Sequence, residues 1–225
     1  MNLYSLRFKR WLQHKRELAA PLQQLVGQAV QAGRTSLLDL EMLSLDIETT
    51  GLDPATAEML SVGWVIIRKG RVDLNTAEFY IVRPSGGVGS SASVHGLTDT
   101  VVEAGSDSGR VLGRIVEALT GRVLLVHYAG LDKALLDRLC RQRYGVPLLV
   151  PVVDTLALER RRQERRHHVD EQSSLRLSDL RERYRLPRYS AHDSLVDAIA
   201  TAELLVAMVA HNGGASNTCL RDLCS

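Results

Sequence analysis

Short apolar runs of strand length and longer stretches of helical spacing follow one another in a fixed order along residues 41–210, and this order constrains the fold most. Three strand-length runs come first, with the turn residues Lys69 and Gly70 between the second and the third. Strand-length runs and helical stretches then alternate. This pattern predicts an α/β fold with three layers and a mixed five-stranded sheet. The predicted strands are 42–47, 60–67, 77–82, 123–126 and 148–153, and the predicted helices are 110–119, 131–144, 156–166, 175–184 and 191–210.

Residues 1–40 precede this region and have a helical spacing of their own. Pro21 either divides the segment into two helices or lies in the first turn of the second, and Gly33 is expected to end it. We expect an N-terminal helical extension over 1–40 that packs on the main domain. A segment that docks a partner protein or forms a homodimer is the alternative. Residues 211–225 are expected to form a flexible C-terminal tail.

Composition excludes several classes of protein. Hydrophobic residues make up 45% of the chain and charged residues 24%, as in ordinary globular proteins. No run approaches roughly 18 apolar residues, so a membrane span is not expected. The basic residues near the N-terminus are not followed by the apolar stretch of a secretory signal. The three cysteines lack CxxC spacing, which favours free thiols in a cytoplasmic protein.

The charge of the chain is unevenly distributed. The net charge of +2 is too small to indicate a nucleic-acid-binding protein by itself. Between residues 138 and 188, however, 13 arginines stand against 7 acidic residues. Such a surplus is typical of a solvated basic face and equally of a surface that contacts phosphate, because the guanidinium fork matches phosphate geometry.

The most informative segment is 45–52, in which Asp46 and Glu48 end an apolar run. Residues two apart on a strand share one face of the sheet. Two adjacent carboxylates repel each other, which raises a pKa or requires a cation. Carboxylate oxygens are ligands that suit Mg²⁺ or Mn²⁺. A pair of this kind is, on its own, more often a solvated strand end.

A third acid, Asp132, follows the predicted strand 123–126. The carboxyl ends of strands are where α/β sheets place their sites. The same residue would also suit the N-terminus of a helix, where the macrodipole favours an acid. Asp132 is therefore a candidate ligand and a candidate helix-start residue.

The last predicted helix begins with a histidine and two acids. Ser190 and Asp193 have the spacing of a capping box, which would place His192 in the first turn. The positive helix end there would disfavour an imidazolium and help to keep a neutral base. Asp197 lies among apolar residues, where an acid is costly unless it is paired or bound to a metal.

In this order the residues resemble the DEDDh 3′–5′ exonucleases, a family that includes the proofreading epsilon subunit of bacterial DNA polymerase III. The sequence Asp-Ile-Glu-Thr-Thr-Gly at 46–51 matches the first family motif, 127–132 resembles the second and 192–197 matches the third. The loop 93–98 also resembles a family segment. Tyr128 and Leu131 depart from the second motif, where the family usually has Asn and Phe. The resemblance covers about residues 41–210, the expected exonuclease domain, and implies a ribonuclease H-like fold.

The resemblance implies hydrolysis with two divalent metal ions, Mg²⁺ or Mn²⁺. Asp46 is expected to bridge the two ions, while Glu48 and Asp197 complete one metal site. Asp132 is expected to support the second site, directly or through water. His192 is expected to take the proton from the attacking water.

The resemblance also assigns a substrate. Thr49, Thr50, Gly51 and Leu52 are expected to hold the terminal nucleotide, with a simple strand-end turn as the alternative. His95 is a further candidate contact. The expected reaction releases nucleoside 5′-monophosphates from single-stranded or frayed DNA 3′ ends.

Two other functions stay open. One is an RNA-trimming or oligonucleotide-degrading exoribonuclease with the same site. The other is a non-catalytic subunit, associated with a polymerase or with repair, that docks through residues 1–40. A stand-alone exonuclease in repair or nucleic-acid turnover is the form we favour.

Overall fold

The computed structural model describes residues 3–14, 17–84, 104–165, 174–190 and 192–224. Within these residues, five strands form one sheet in the order β3-β2-β1-β4-β5. The strands are β1 (Glu41–Thr49), β2 (Met59–Arg68), β3 (Arg71–Ile81), β4 (Val123–Val126) and β5 (Val152–Asp154). Strands β1, β2 and β3 are antiparallel, whereas β1, β4 and β5 run parallel. The predicted mixed five-stranded sheet is thus confirmed.

Helices cover both faces of the sheet. They are α1 (Leu3–His14), α2 (Ala20–Gly27), α3 (Ser108–Ala118), α4 (Asp132–Tyr144), α5 (Thr155–Arg165), α6 (Leu177–Arg183), α7 (Ser194–His211) and α8 (Leu220–Leu223). Strand β5 is shorter than the predicted 148–153 and begins only after Pro151, which has no N–H to give to a ladder.

Alternation of side chains along β1 divides the core into two parts. Leu43, Leu45 and Ile47 are buried in a cluster with α2, α3 and α4. Met42 is buried in the other cluster, with α7. Because successive side chains of a strand point to opposite faces, the acids at positions 46 and 48 share the face of Met42. Both acids therefore lie between the sheet and α7.

The N-terminal segment is helical, as expected, and part of it belongs to the core. Pro21 lies in the first turn of α2, where its missing N–H is not needed. The helix ends at Gly27 rather than at Gly33. Leu22 and Leu25 are completely buried beside α3, so α2 contributes directly to the packing of the sheet.

The C-terminal segment is not the flexible tail that its Gly-rich start predicted. Residues 215–217 form a 3-10 turn and α8 follows. Leu220 and Leu223 are buried in the cluster that contains α7. The backbone of Cys219 pairs with that of Ser36. Two apolar positions therefore anchor residues that composition alone indicated to be mobile.

Helix α7 has the length and composition of a membrane span, with 18 residues and a mean hydropathy of 1.5. The sequence shows no unbroken apolar run there because Asp197 and Glu203 interrupt it. In the structure α7 packs on the sheet with Leu204 and Leu205 buried, which is how the core helix of a globular domain behaves.

Candidate active site

Three carboxylates meet between β1 and α7. Asp46 and Glu48 come from β1, and Asp197 comes from the first turn of α7. One oxygen of each side chain lies within 4.8 Å of the others. Glu48 is buried, and the two aspartates are partly buried. The structure thus brings Asp197 to Asp46 and Glu48, which lie far from it in the sequence.

The site concentrates negative charge in a poorly solvated place. Burial, and then the nearby charges of Asp132 and Asp197, raise the pKa of Asp46 well above its usual value. Burial likewise raises the pKa of Asp132 and that of Asp197. Either protons or a cation would relieve this repulsion. Hard carboxylate oxygens are the ligands that Mg²⁺ and Mn²⁺ prefer, so the residues fit a divalent ion.

Asp132 lies beside this cluster rather than within it. It is the first residue of α4 and is 4% exposed. Burial, and then the charges of Asp154 and Glu48, raise the pKa of Asp132, while the backbone of Ile47 opposes this shift. Asp132 is therefore a neighbour of the three acids on the β4 side of β1.

A glycine in the middle of β2 lets α7 approach the sheet. Gly63 pairs with Asp46 across the two strands. A Cβ atom on Gly63 would lie 2.3 Å from the backbone N and Cα of Leu195. The sequence analysis did not use Gly63, although a glycine inside a strand often marks close backbone approach.

Two hydrogen bonds made by serines also hold α7 close to the sheet. Ser61 and Ser194 share a buried hydrogen bond of 3.0 Å between their hydroxyl oxygens. Ser44, two residues before Asp46, donates to the carbonyl of Ala198 at 2.7 Å. These two hydrogen bonds, together with the close approach that Gly63 allows, hold Asp197 of α7 next to Asp46 and Glu48 of β1.

His192 precedes α7 instead of lying in its first turn. Asp193, not Ser190, is the N-cap, and its carboxylate accepts from two amides of the first turn at 3.0 and 3.1 Å. The capping-box prediction was therefore wrong, and the argument from the helix end does not apply to His192. The exposed His192 has a φ of +72°. Its backbone N–H donates to the Asp197 carboxylate at 3.0 Å.

The segment that leads to His192 is held by the buried Arg181. This guanidinium donates to the carbonyl of Pro187 and to the carboxylate of Glu203, both at 2.9 Å. It also lies 4.3 Å from the centroid of the Tyr189 ring. Arg181 thus positions the chain on which the histidine is carried.

Asp154, at the end of β5, fixes the turn 127–130. Its carboxylate accepts from the N–H of Tyr128 at 3.1 Å and from that of Ala129 at 2.9 Å. It also accepts from two amides in the first turn of α5. The sequence analysis missed Asp154, although an acid directly after a buried strand and before a helix was a readable signal.

His127 links this turn to the rest of the site. Its Nε2 lies 3.0 Å from the carbonyl oxygen of Leu175, and its Nδ1 lies 2.7 Å from Oγ1 of Thr155. A carbonyl oxygen can only accept, so Nε2 carries a proton. Burial lowers the pKa of His127, in agreement with a neutral structural histidine.

We expect Asp154→Ala to destabilise the protein by about 2–4 kcal/mol, from buried amides left without an acceptor and from a lost helix cap. Urea unfolding would measure the loss. Asp154→Asn, which keeps one acceptor oxygen, should lower the free energy of unfolding by less. The exposed Asp39 offers a matched control, Asp39→Ala. A loss for Asp154→Ala no larger than that of the control would contradict this role.

The residues expected to hold a nucleotide form the turn after β1. The Thr49 hydroxyl donates to the Gly51 carbonyl at 2.6 Å, and the Thr50 hydroxyl accepts an amide at 2.9 Å. Both hydroxyls therefore help to shape the turn. Leu52 is 87% exposed. His95 and the loop 93–98 lie outside the described residues.

A groove of about 1000 Å³ opens beside the carboxylates. Leu52, Tyr128, Tyr189, His192 and Asp197 all line it. The structure therefore places the predicted histidine, one predicted acid and the exposed leucine around a single space.

Several arginines of the basic stretch 138–188 contact the protein itself, among them Arg138, Arg161 and Arg162. Arg161 donates to the carbonyls of Leu223 and Cys224 at 3.0 Å. Arg162 donates to the Tyr184 hydroxyl. Part of the arginine surplus thus stabilises the fold instead of offering a face to phosphate.

Comparisons with known proteins agree with this arrangement. A family model described as "Exonuclease" matches residues 43–205. The DNA polymerase III PolC-type of Thermotoga maritima is 28% identical over 173 residues, which is 76% of this chain but 12% of that protein. The corresponding protein of Mycoplasmopsis pulmonis is 31% identical over 96 residues, 43% of this chain and 7% of its own length. The chain thus spans only a small part of these curated relatives.

Solved structures share the fold. Escherichia coli exonuclease I in complex with a dT13 oligonucleotide has a TM-score of 0.62 at 18% identity, covering 74% of this chain and 40% of that one. Exonuclease I of Methylocaldum szegediense has a TM-score of 0.64 at 16% identity, covering 79% of this chain and 42% of that one. At these identities the likeness supports the three-layer fold with its mixed sheet.

Proposed function

The chain belongs to the DEDDh-type 3′–5′ exonuclease family, and we propose that it shortens single-stranded or frayed DNA from the 3′ end and releases nucleoside 5′-monophosphates. The observation that carries this proposal is the meeting of Asp46, Glu48 and Asp197 within 4.8 Å. DNA is favoured over RNA because exonuclease I neighbours were solved with dT13 and dA16 oligonucleotides.

We propose that two divalent ions, Mg²⁺ or Mn²⁺, bind at this cluster. Asp46 would contact both ions, and Glu48 and Asp197 would complete one site. Asp132, next to the cluster, would support the other, directly or through water. When bound, such ions activate a water molecule and stabilise the leaving oxygen of a phosphodiester. The raised pKa values of Asp46 and Asp132 support this proposal, because buried carboxylates this close together need a cation to stay ionised.

We propose His192 as the general base. It lines the groove beside Asp197, and its backbone N–H donates to that carboxylate. Imidazole accepts protons near neutral pH, which suits removal of a proton from the attacking water. The Asp197 carboxylate and the Arg181 contacts hold the backbone on which the ring is mounted.

The direct test uses the purified chain with Mn²⁺ and two 5′-labelled strands of equal sequence, one DNA with a 3′ mismatch and one RNA. We expect a ladder that shortens from the 3′ end, with DNA cut faster. Faster cutting of RNA would assign the exoribonuclease function instead. No cleavage of either strand by folded, metal-loaded protein would favour a docking subunit. The cytoplasmic location inferred from the cysteines stays a prediction.

We expect His192→Gln to lower kcat by about 100-fold, because general base catalysis typically contributes at least that much. Stabilisation of the fold by Mn²⁺ should remain. His211→Gln, at the opposite end of α7, is the control and should keep its activity. An unchanged kcat in His192→Gln would refute the assignment.

A further inference from the structure

The ring of Tyr128 lies close to the backbone of Gly130 at the edge of the groove. A Cβ atom on Gly130 would come within 2.9 Å of Cζ and 3.0 Å of Cε2 of this ring. A side chain at position 130 would force the ring to shift. The phenol end of the ring therefore lies against the turn 127–130.

Tyr128 is also exposed to the groove. Tyr128 is 54% exposed, and it lines the groove together with Leu52, His192 and Asp197. An exposed aromatic ring that the backbone holds beside a cluster of acids can serve as a stacking platform. Flat π-faces accept any nucleobase, since every base has one.

The backbone of Tyr128 is strained in this position. Tyr128 has a φ of +85°, in a region that residues with a bulky side chain rarely adopt. The carboxylate of Asp154 fixes this conformation by accepting the N–H of Tyr128 at 3.1 Å. Strained residues that the surrounding structure holds in place tend to occur where a ligand binds.

We propose that Tyr128 stacks on one of the last two bases of the substrate strand, a role that rests on the exonuclease function proposed above. The other tyrosine of the groove, Tyr189, does not compete for this role. Its ring packs on the Arg181 guanidinium, and its hydroxyl donates to Glu203 at 3.0 Å. Tyr128 is thus the aromatic side chain whose support and exposure both suit a base.

The test compares strands with and without a base. One strand carries normal 3′-terminal nucleotides, and in two others the terminal or the penultimate base is replaced by an abasic tetrahydrofuran. Tyr128→Leu should lower kcat/KM on the normal strand by about 5- to 150-fold, the range of base–aromatic stacking. It should leave kcat/KM on one abasic strand nearly unchanged. Tyr128→Phe should behave as the unaltered protein, and Phe8→Leu, an exposed aromatic outside the groove, is the control.

A binding measurement separates this proposal from the exonuclease function. Strands with 2-aminopurine at the last or the penultimate position are added in the presence of a chelator, so that none is cut. We expect quenching at one position that is lost in Tyr128→Leu and kept in Tyr128→Phe. Loss of quenching in a protein without hydrolysis would support stacking while refuting the exonuclease. Hydrolysis by the unaltered protein, with equal losses on normal and abasic strands in Tyr128→Leu, would overturn the stacking role.

Discussion

Asp46→Asn is expected to abolish metal-dependent hydrolysis while making the metal-free protein more stable. Burial of the Asp46 side chain, and then the charges of Asp132, Asp197 and Glu48, raise its pKa. An amide keeps the shape of the carboxylate but cannot replace it as a charged ligand of two ions. We expect kcat to fall by at least about 10⁴-fold, which corresponds to several kcal/mol of lost transition-state stabilisation.

The gain in stability follows from the direction of the pKa shifts. Because burial raises the pKa of Asp46, Asp132 and Asp197 in the folded chain, the folded state binds more protons than the unfolded state. The free energy of unfolding without metal should therefore fall as the pH rises from the usual aspartate pKa to the raised values. Asp46→Asn should weaken this dependence because one of the repelling charges is gone.

Thermal unfolding with and without Mn²⁺ measures both the effect on metal binding and the effect on stability without metal. Mn²⁺ should raise the Tm of the unaltered protein at neutral pH and should leave that of Asp46→Asn nearly unchanged. Excess EDTA should stop hydrolysis by the unaltered protein. The exposed Asp39 supplies the control, Asp39→Asn, which should behave as the unaltered protein. Full hydrolysis by Asp46→Asn, or turnover undiminished by EDTA, would be incompatible with the metal cluster.

Much of the fold was predictable because its elements depend on local patterns. The apolar runs that became β1, β2 and β4 stand out from their polar surroundings, and Lys69 and Gly70 gave the turn between β2 and β3. The C-terminal segment was not predictable in this way. Its order depends on the burial of Leu220 and Leu223 against α7 and on the hydrogen bond from Arg161 to Cys224, 63 positions away.

The ligand candidates could be read from the sequence, whereas the residues that position them could not. A charged residue such as Asp46 or Asp197 can be recognised in the sequence because its neighbours are apolar. The residues that position them contact parts of the chain far away in the sequence. Gly63 packs against the helix of residues 194–211, and Asp154 binds backbone amides of the turn 127–130. A glycine in a strand and an acid before a helix have many possible causes, and only the structure shows which one applies.

Gly63→Ala should disable the site without touching any candidate ligand. Its new Cβ would lie 2.3 Å from backbone atoms of Leu195 and 2.6 Å from the carbonyl carbon of Ser194. Backbone atoms cannot turn aside as a side chain can, so α7 must move away from β2. That movement carries Asp197 away from Asp46 and opens the Ser61–Ser194 hydrogen bond.

A displacement of catalytic groups by about 1 Å costs on the order of 100-fold in rate, and overpacking costs about 1–3 kcal/mol of stability. We therefore expect Gly63→Ala to lose more than about 100-fold in kcat/KM and to respond less to Mn²⁺ in thermal unfolding. Gly113→Ala is the control, because its Cβ would have only the Tyr144 hydroxyl at 3.8 Å. It should be neutral or slightly stabilising, since alanine favours helices.

If Gly63→Ala fails to fold, a second variant with a smaller structural effect tests the same contact between α7 and β2. Ser61→Ala removes the hydrogen bond to Ser194 at 3.0 Å without adding any atoms. It should loosen the same contact and lower both kcat/KM and the Mn²⁺ response by a smaller amount. If Ser61→Ala and Gly63→Ala both kept full activity and the full Mn²⁺ response, the close approach of α7 to β2 would not be what holds Asp197 in the cluster.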